Sequence, residues 1–256
     1  MTSLLSLPCV TIITVSYNAK DGIEKTILSV VKQSYKNIEY IIVDGGSSDG
    51  TIDIIKKYDK QLTCWISEPD KGIYDAMNKG IKKATGEWLI MMNAGDCFAN
   101  ESVLEEVFSR KIPNNISFLY SDVYSKKKDG GLILRPSDFA SGNLIHQAII
   151  YKRDLHKEHG YYIVTKKIII SDALFFARIP IDQTMKIDTV LSIYEGGGVS
   201  QQGNWAEQQF YCMEVVFRKK SFWGMVFSYS WKRIKSILPV SVKDKIKSVL
   251  GINYKG

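Results

Sequence analysis

The chain is poor in cysteine, and the few it has form no pattern that chemistry would use. Cys9, Cys64, Cys97 and Cys212 are the four. None belongs to a CxxC pair, and no Cys/His spacing suits zinc. Free thiols in a reducing compartment are therefore expected. No uncharged apolar stretch of about 20 residues occurs, so no membrane-spanning helix is expected. The run Cys9–Tyr17 has the length of a strand. Residues 1–8 lack the positive start, apolar stretch and small-residue cleavage site of a leader, which points to the cytoplasm. GxGxxG and GxxxxGK[ST] are both missing, so the dinucleotide and P-loop readings lack their phosphate cradle. Internal repeats and low-complexity tracts are also missing.

Acidic residues are scarce in one place. Residues 211–256 hold ten of the 34 Lys/Arg and two of the 27 Asp/Glu. That segment carries +8, and the other 210 residues carry −1, which together make the net charge of +7. A nucleic-acid footprint would not be confined to a tail. Arg218 to Lys247 mixes Phe222, Trp223, Met225, Val226, Phe227, Trp231, Ile234 and Ile237 with Lys and Arg, a mixture that suits an anionic membrane surface. With 45% hydrophobic and 24% charged residues, the rest has the composition of a globular domain with a core.

Strand and helix patterns alternate through the first 100 residues. Val10–Ser16, Ile38–Val43, Leu62–Ser67 and Glu87–Met92 read as buried strands. Lys20–Ser34, Thr51–Tyr58 and Asp70–Ala84 read as helices. This predicts an α/β fold with a mainly parallel sheet flanked by helices. Later segments are less regular. Ser117–Val123, Leu144–Tyr151, Lys167–Ile170 and Lys186–Tyr194 are strand-like, Lys126–Gly131 is a hairpin turn, and helices start at Glu101, Ser171 and Trp205. Residues 1–210 are expected to form one domain, with a donor half (1–100) and an acceptor half (101–210). Residues 211–256 form a basic, amphipathic helical tail.

In such sheets ligands bind beyond the carboxyl ends of the strands. Three polar clusters fall there: Tyr17-Asn18, Asp44-Gly-Gly-Ser-Ser-Asp49 and Asn93-Ala-Gly-Asp96. Asp44 can accept from a base or ribose hydroxyl, or can simply build its turn. Asp96, just past a buried strand, can bind a hard divalent ion that bridges two phosphates, or can cap the helix near Glu101.

Five ordered segments carry a resemblance. They are Thr11-Ile-Ile-Thr-Val-Ser-Tyr-Asn18; Ser29-Val-Val-Lys-Gln33; Ile41-Ile-Val-Asp-Gly-Gly-Ser-Ser-Asp-Gly-Thr51; Ser67-Glu-Pro-Asp-Lys-Gly-Ile-Tyr-Asp-Ala-Met-Asn-Lys-Gly80 with Ala84-Thr-Gly-Glu87; and Leu89-Ile-Met-Met-Asn-Ala-Gly-Asp96. Residues 10–98 resemble the donor half of family 2 glycosyltransferases with the Rossmann-like GT-A fold. The resemblance implies an inverting, metal-dependent hexosyl transfer from a UDP- or GDP-linked sugar to a saccharide or lipid-linked acceptor. The setting would be bacterial surface-polysaccharide assembly, such as O-antigen or capsule, at the cytoplasmic face of the inner membrane. It implies donor contacts from Thr14, Tyr17, Asn18, Asp44, Asp70, Asn93 and Gly95, with Mn²⁺ or Mg²⁺ on Asp96. On the acceptor side it implies His146, Gln147 and Glu195, with Asp172 as the base. Two departures stand out. The usual DxD is reduced to Asn93-x-x-Asp96, and Ser171 replaces the acidic partner of Asp172. Asn78 and Gly80 read equally well as packing residues. A catalytically inactive nucleotide-sugar-binding module and a sugar-phosphate nucleotidyltransferase are the alternatives. The latter needs a glycine-rich basic loop after the first strand, where this chain has Tyr17-Asn-Ala-Lys-Asp-Gly22.

Overall fold

The computed structural model describes residues 7–127, 129–165, 168–196, 205–217 and 221–237. In chain order the elements are β1 (Val10–Ser16), α1 (Lys20–Val31), β2 (Ile38–Asp44), α2 (Thr51–Lys57), β3 (Cys64–Ser67), α3 (Ile73–Lys83), β4 (Trp88–Met91), β5 (Cys97–Phe98) and α4 (Val103–Phe108). Then come β6 (Phe118–Tyr120), β7 (Val123–Lys126), β8 (Leu132–Arg135), β9 (Ile149–Lys152), α5 (Leu155–His159), α6 (Ser171–Phe176), β10 (Thr184–Lys186), β11 (Ser192–Tyr194), α7 (Trp205–Val216) and α8 (Phe222–Ile237). By packing, Met1–Gly203 form one compact unit and Asn204–Gly256 a second.

The first unit is a mixed α/β structure. Its large sheet has the order β10-β6-β9-β4-β1-β2-β3. β4, β1, β2 and β3 run parallel, in register from Val10 opposite Ile38 to Ser16 opposite Asp44. β9 is antiparallel to both β4 and β6. A smaller sheet has the order β5-β11-β7-β8.

Strand alternation places successive side chains on opposite faces, and the core follows it. Ile12, Ile42 and Ile90 pack on one face with Ile23, Ile27 and Leu104. Ile13, Ile41 and Leu89 pack on the other with Met77, Ile81 and Phe175. Both faces are covered, so these strands read as continuous apolar runs.

One buried charge fixes the turn into β4. Glu39 on β2 accepts from Thr11 Oγ1, from Thr85 N and Oγ1 (both 2.8 Å) and from Gly86 N (3.2 Å). Burial would raise its carboxyl pKa, but these donors hold it below the ordinary value. Gly86 has no alternative here, since a Cβ would lie 2.9 Å from both Cys9 O and Thr11 N of the β1 backbone. Gly80 presses α3 onto Ile13, where a Cβ would meet Cγ2 at 2.5 Å. Asn78 exchanges two hydrogen bonds with the Tyr162 backbone. Both are therefore packing residues.

Four segments depart from their sequence patterns, the first being Ser117–Val123, which breaks between β6 of the large sheet and β7 of the small one. The stretch predicted as one strand, Leu144–Tyr151, turns as a 3₁₀ helix at His146–Ala148 before β9 begins. The turn comes where His146 faces the Asp172 carboxylate and Gln147 donates to the buried Asp96. Lys186–Tyr194 splits because the chain crosses between sheets: β10 joins the large one and β11 the small one. Ile168–Ile170 form no strand. The Ile169 carbonyl lies 3.0 Å from Tyr74 Oη rather than in a strand ladder. Lys167 of that predicted strand lies outside the described residues.

Candidate active site

The three polar loops meet beyond the carboxyl ends of β1, β2 and β4. Asp44 ends β2 fully buried. Its carboxylate accepts from Ser16 Oγ (2.9 Å), Ser67 Oγ (2.7 Å), Ser47 N (2.8 Å), Ser47 Oγ (2.5 Å) and Gly46 N (3.1 Å). Burial opposes its ionisation, yet these donors keep its pKa below the ordinary value. Asp44 therefore builds the loop from within. Asn18 joins the same knot with φ of 46°: its N–H donates to Ser47 Oγ (2.8 Å) and its Oδ1 accepts from Ser48 N (3.0 Å).

Tyr17 is the exposed group at this mouth, 66% open. A Cβ on Gly45 would meet Asp70 Oδ2 at 2.5 Å and Tyr17 Cδ2 at 3.3 Å. Tyr17, Gly45 and Asp70 thus share one small space, with Asp70 fixed by Gly72 N at 2.8 Å. Thr14 does not reach that mouth. It is fully buried on β1, and its hydroxyl pairs with Tyr40 Oη at 3.0 Å.

The second cluster is at the end of β4. Thr26 Oγ1 on α1 accepts from Gly95 N (2.9 Å) and donates to Asp96 O (2.7 Å). Gly95 turns there with φ of 102°. Gly22 lets the loop approach α1, since a Cβ would lie 2.9 Å from Gly95 Cα. The Asp96 carboxylate is 5% exposed, accepting from Gln147 Nε2 (2.7 Å) and Glu195 N (2.9 Å). Burial pushes its pKa up to about 6. The Glu195 carboxylate is held by Lys126 and Lys25, each at 2.7 Å. Asn93 Oδ1 is buried without a hydrogen-bond partner.

Asp172 opens α6 with its side chain 24% exposed. Tyr74 Oη donates to its Oδ1 at 2.7 Å, and His146 Nδ1 stands 3.2 Å from its Oδ2. Burial disfavours the charge, but the His146 contact and the Tyr74 hydroxyl hold its pKa below the ordinary value.

The structure therefore joins residues far apart in sequence. His146 and Gln147, neighbours on one 3₁₀ turn, hold Asp172 and Asp96 respectively. Sequence reasoning missed Lys25, Lys126, Tyr162 and Thr26, which carry no motif. Tyr74 lay inside a matched segment but had no assigned role.

A family model described as "Glycosyl transferase family 2" matches residues 11–174. The chain belongs to this family. An uncharacterized glycosyltransferase of Mycobacterium tuberculosis is 39% identical over 104 residues, 40% of this chain and 40% of that protein. This chain thus spans well under half of that relative. A PGL/p-HBAD biosynthesis glycosyltransferase of Mycobacterium bovis is 28% identical over 180 residues, 64% of this chain and 67% of that protein. Among solved structures, S. aureus TarS with UDP-GlcNAc is similar at a TM-score of 0.67 and 18% identity, covering 82% of this chain and 65% of that one. The mannosyltransferase PcManGT of Pyrobaculum calidifontis, solved with GDP-Man and Mn²⁺, gives 0.63 at 16% identity, covering 97% of this chain and 81% of that one. Both likenesses show the shared GT-A fold. The chain keeps the parallel β4-β1-β2-β3 core and sets residues from its second half against it.

Proposed function

We propose that the protein is an inverting glycosyltransferase. It moves a sugar from a UDP- or GDP-linked donor to a saccharide or lipid-linked acceptor in surface-polysaccharide assembly. The observation that carries this reading is the His146-Gln147 turn, which ties a donor-side carboxylate, Asp96, to an acceptor-side carboxylate, Asp172. A displacement at an anomeric carbon needs such a pair: charge stabilisation on the leaving side and a base on the other.

Tyr17 and Asp70 would receive the nucleoside in the space beside Gly45. The donor set at the end of β4 fits a hard divalent cation. Asp96 retains lone pairs, and Asn93 Oδ1 is a carbonyl oxygen without a partner. Among the described residues no group of three or more His, Cys, Asp or Glu gathers there, so donor phosphates and water would complete the sphere. Mn²⁺ or Mg²⁺ bound by Asp96 and Asn93 would offset charge on the departing diphosphate. Lys25 and Lys126 add positive charge beside it.

On the opposite face, Asp172 takes the proton of the acceptor hydroxyl as that oxygen bonds to the anomeric carbon. The electrons of the broken bond leave with the diphosphate. Tyr74 and His146 orient the carboxylate. Loss of a general base costs roughly 10²–10⁴ in rate, whereas loss of a helix cap costs about 1 kcal/mol of stability and little rate. Asp172→Asn should keep the melting temperature and donor affinity while losing turnover by that factor. The test is turnover of a panel of nucleotide sugars by both forms, with the product's anomeric configuration read by NMR. Retained configuration, or full turnover by Asp172→Asn, would overturn the mechanism. Binding without turnover by the wild type would favour an inactive module.

We also read α8 as a membrane-surface element. Trp223, Phe227, Trp231 and Ile234 recur at spacings of four and three and are all exposed, which places them on one face. No helix among the described residues is long and apolar enough to cross a membrane. An interfacial helix, drawn to anionic lipid by the basic residues around it, suits a lipid-linked acceptor.

A further inference from the structure

The hydrogen bonds behind Asp172 form a chain with a fixed direction. It starts at a group that can only accept: the Gly160 carbonyl, 3.0 Å from His156 Nδ1. His156 Nδ1 must therefore carry a proton. Burial pushes the His156 pKa down to about 4, so this ring is neutral and its Nε2 is bare. Tyr151 Oη lies 3.0 Å from that nitrogen and must donate to it. Burial raises the pKa of Tyr74, Tyr151 and Tyr162 above the ordinary phenol value, so each keeps one proton and has one to give.

Tyr151 has spent its proton on His156. The Tyr151–Tyr162 contact of 2.9 Å then needs the Tyr162 proton. Tyr162 in turn has none left for His146 Nε2, 3.2 Å away. That contact is a hydrogen bond only if Nε2 donates. On the other side of the ring, Nδ1 faces the Asp172 carboxylate at 3.2 Å and must donate there too. A neutral His146 would leave one of three contacts without a proton: Tyr151–Tyr162, Tyr162–His146 Nε2, or His146 Nδ1–Asp172.

We infer that His146 carries both ring protons and is a cationic positioning residue for Asp172. The inference rests on the reading of Asp172 as the base. The groups around the ring come from four elements and one connecting segment. Asp172 comes from α6, Tyr74 from α3 through Asp172, and Tyr162 from the segment between α5 and α6. Tyr151 of β9 and His156 of α5 lie beyond Tyr162. Phe176 packs its edge on the ring. Asp172 is the carboxylate in direct contact, and it balances the charge. The cation keeps Asp172 ionised and fixes one oxygen, leaving the remaining lone pairs for the acceptor hydroxyl. His146 does not itself exchange protons with substrate.

Two measurements on the full chain test this. The first is a long-range ¹H–¹⁵N spectrum of the three histidine rings at neutral pH, with His146 assigned by its loss in His146→Gln. Two protonated nitrogens are expected for His146 and one for His156. A bare ring nitrogen on wild-type His146 overturns the proposal.

The second is the pH profile of kcat at saturating donor. His146→Gln keeps an N–H donor but not the charge, so the acid limb should move up by about 1–3 pH units, with donor KM unchanged. An unmoved limb overturns the positioning role. Asp172→Asn separates this failure from that of the parent reading. Full turnover by Asp172→Asn removes the base, and His146's role with it. Lost turnover there, combined with an unmoved limb in His146→Gln, overturns the role of His146 alone.

Discussion

Asp44 and Asp96 end neighbouring loops, yet their environments send them in opposite directions. Asp44 is held ionised by five donors, and Asp96 is pushed toward its neutral form by burial. Removing Asp44 would strand three serine hydroxyls and two backbone N–H groups. Asp44→Ala should therefore cost about 3 kcal/mol or more of stability, not merely nucleotide affinity. Urea unfolding with an unchanged slope measures this, and an unchanged midpoint would show the knot to be dispensable. For Asp96, proton and metal compete for one carboxylate. Manganese affinity in the presence of the nucleotide should rise as pH rises through about 6 and level off above, as read by water-proton relaxation. A flat profile would remove Asp96 from the metal site. Without metal, the folded chain holds this proton more tightly than the unfolded chain, whose value is near 3.8. The contribution of this group is thus fully present below about pH 4 and is lost as pH rises through about 6.

Among the elements, the turn between α3 and β4 shows how a short motif follows from contacts. Ala84-Thr-Gly-Glu87 looks like a polar loop in sequence. In the structure Thr85 and Gly86 give three hydrogen bonds to the buried Glu39, and Gly86 lies against the β1 backbone. Gly86→Ala should cost about 1–3 kcal/mol, because two of the obstructing atoms, Cys9 O and Thr11 N, are main-chain and cannot rotate away. Thermal or urea unfolding reads the loss, and a variant as stable as the wild type would mean that β1 shifts freely there. The strands β1, β2 and β4 were legible because both faces are covered and their apolar runs are continuous. The turn at His146 was not, because its apolar neighbours Leu144, Ile145, Ala148, Ile149 and Ile150 hide the change of direction.

At the scale of the whole molecule, the charge imbalance of residues 211–256 sets the prediction. Deleting residues 219–256 should abolish binding to anionic vesicles, while a water-soluble acceptor analogue is still glycosylated. Each basic residue near such a surface contributes about 1 kcal/mol, and salt should weaken the attraction. Trp223, Phe227 and Trp231 replaced together by alanine should weaken vesicle binding without unfolding the first unit. Vesicle binding unchanged by the deletion and by salt would remove the tail from the interface.

The sequence by itself determined the parallel α/β core, the family and the three loops at one end of the sheet. Those depend on local periodicity and on short segments whose spacing is fixed by the helices between the strands. Only the tertiary structure decided how the loops are used. It turned Thr14 inward to Tyr40, made Asp44 the centre of its loop, and brought Lys25 and Lys126 onto Glu195. It also placed His146 between Asp172 and a line of tyrosines. Such pairings span up to about 170 residues, as in Lys25 with Glu195. They depend on burial and on which lone pairs remain free, quantities that no spacing along the chain encodes.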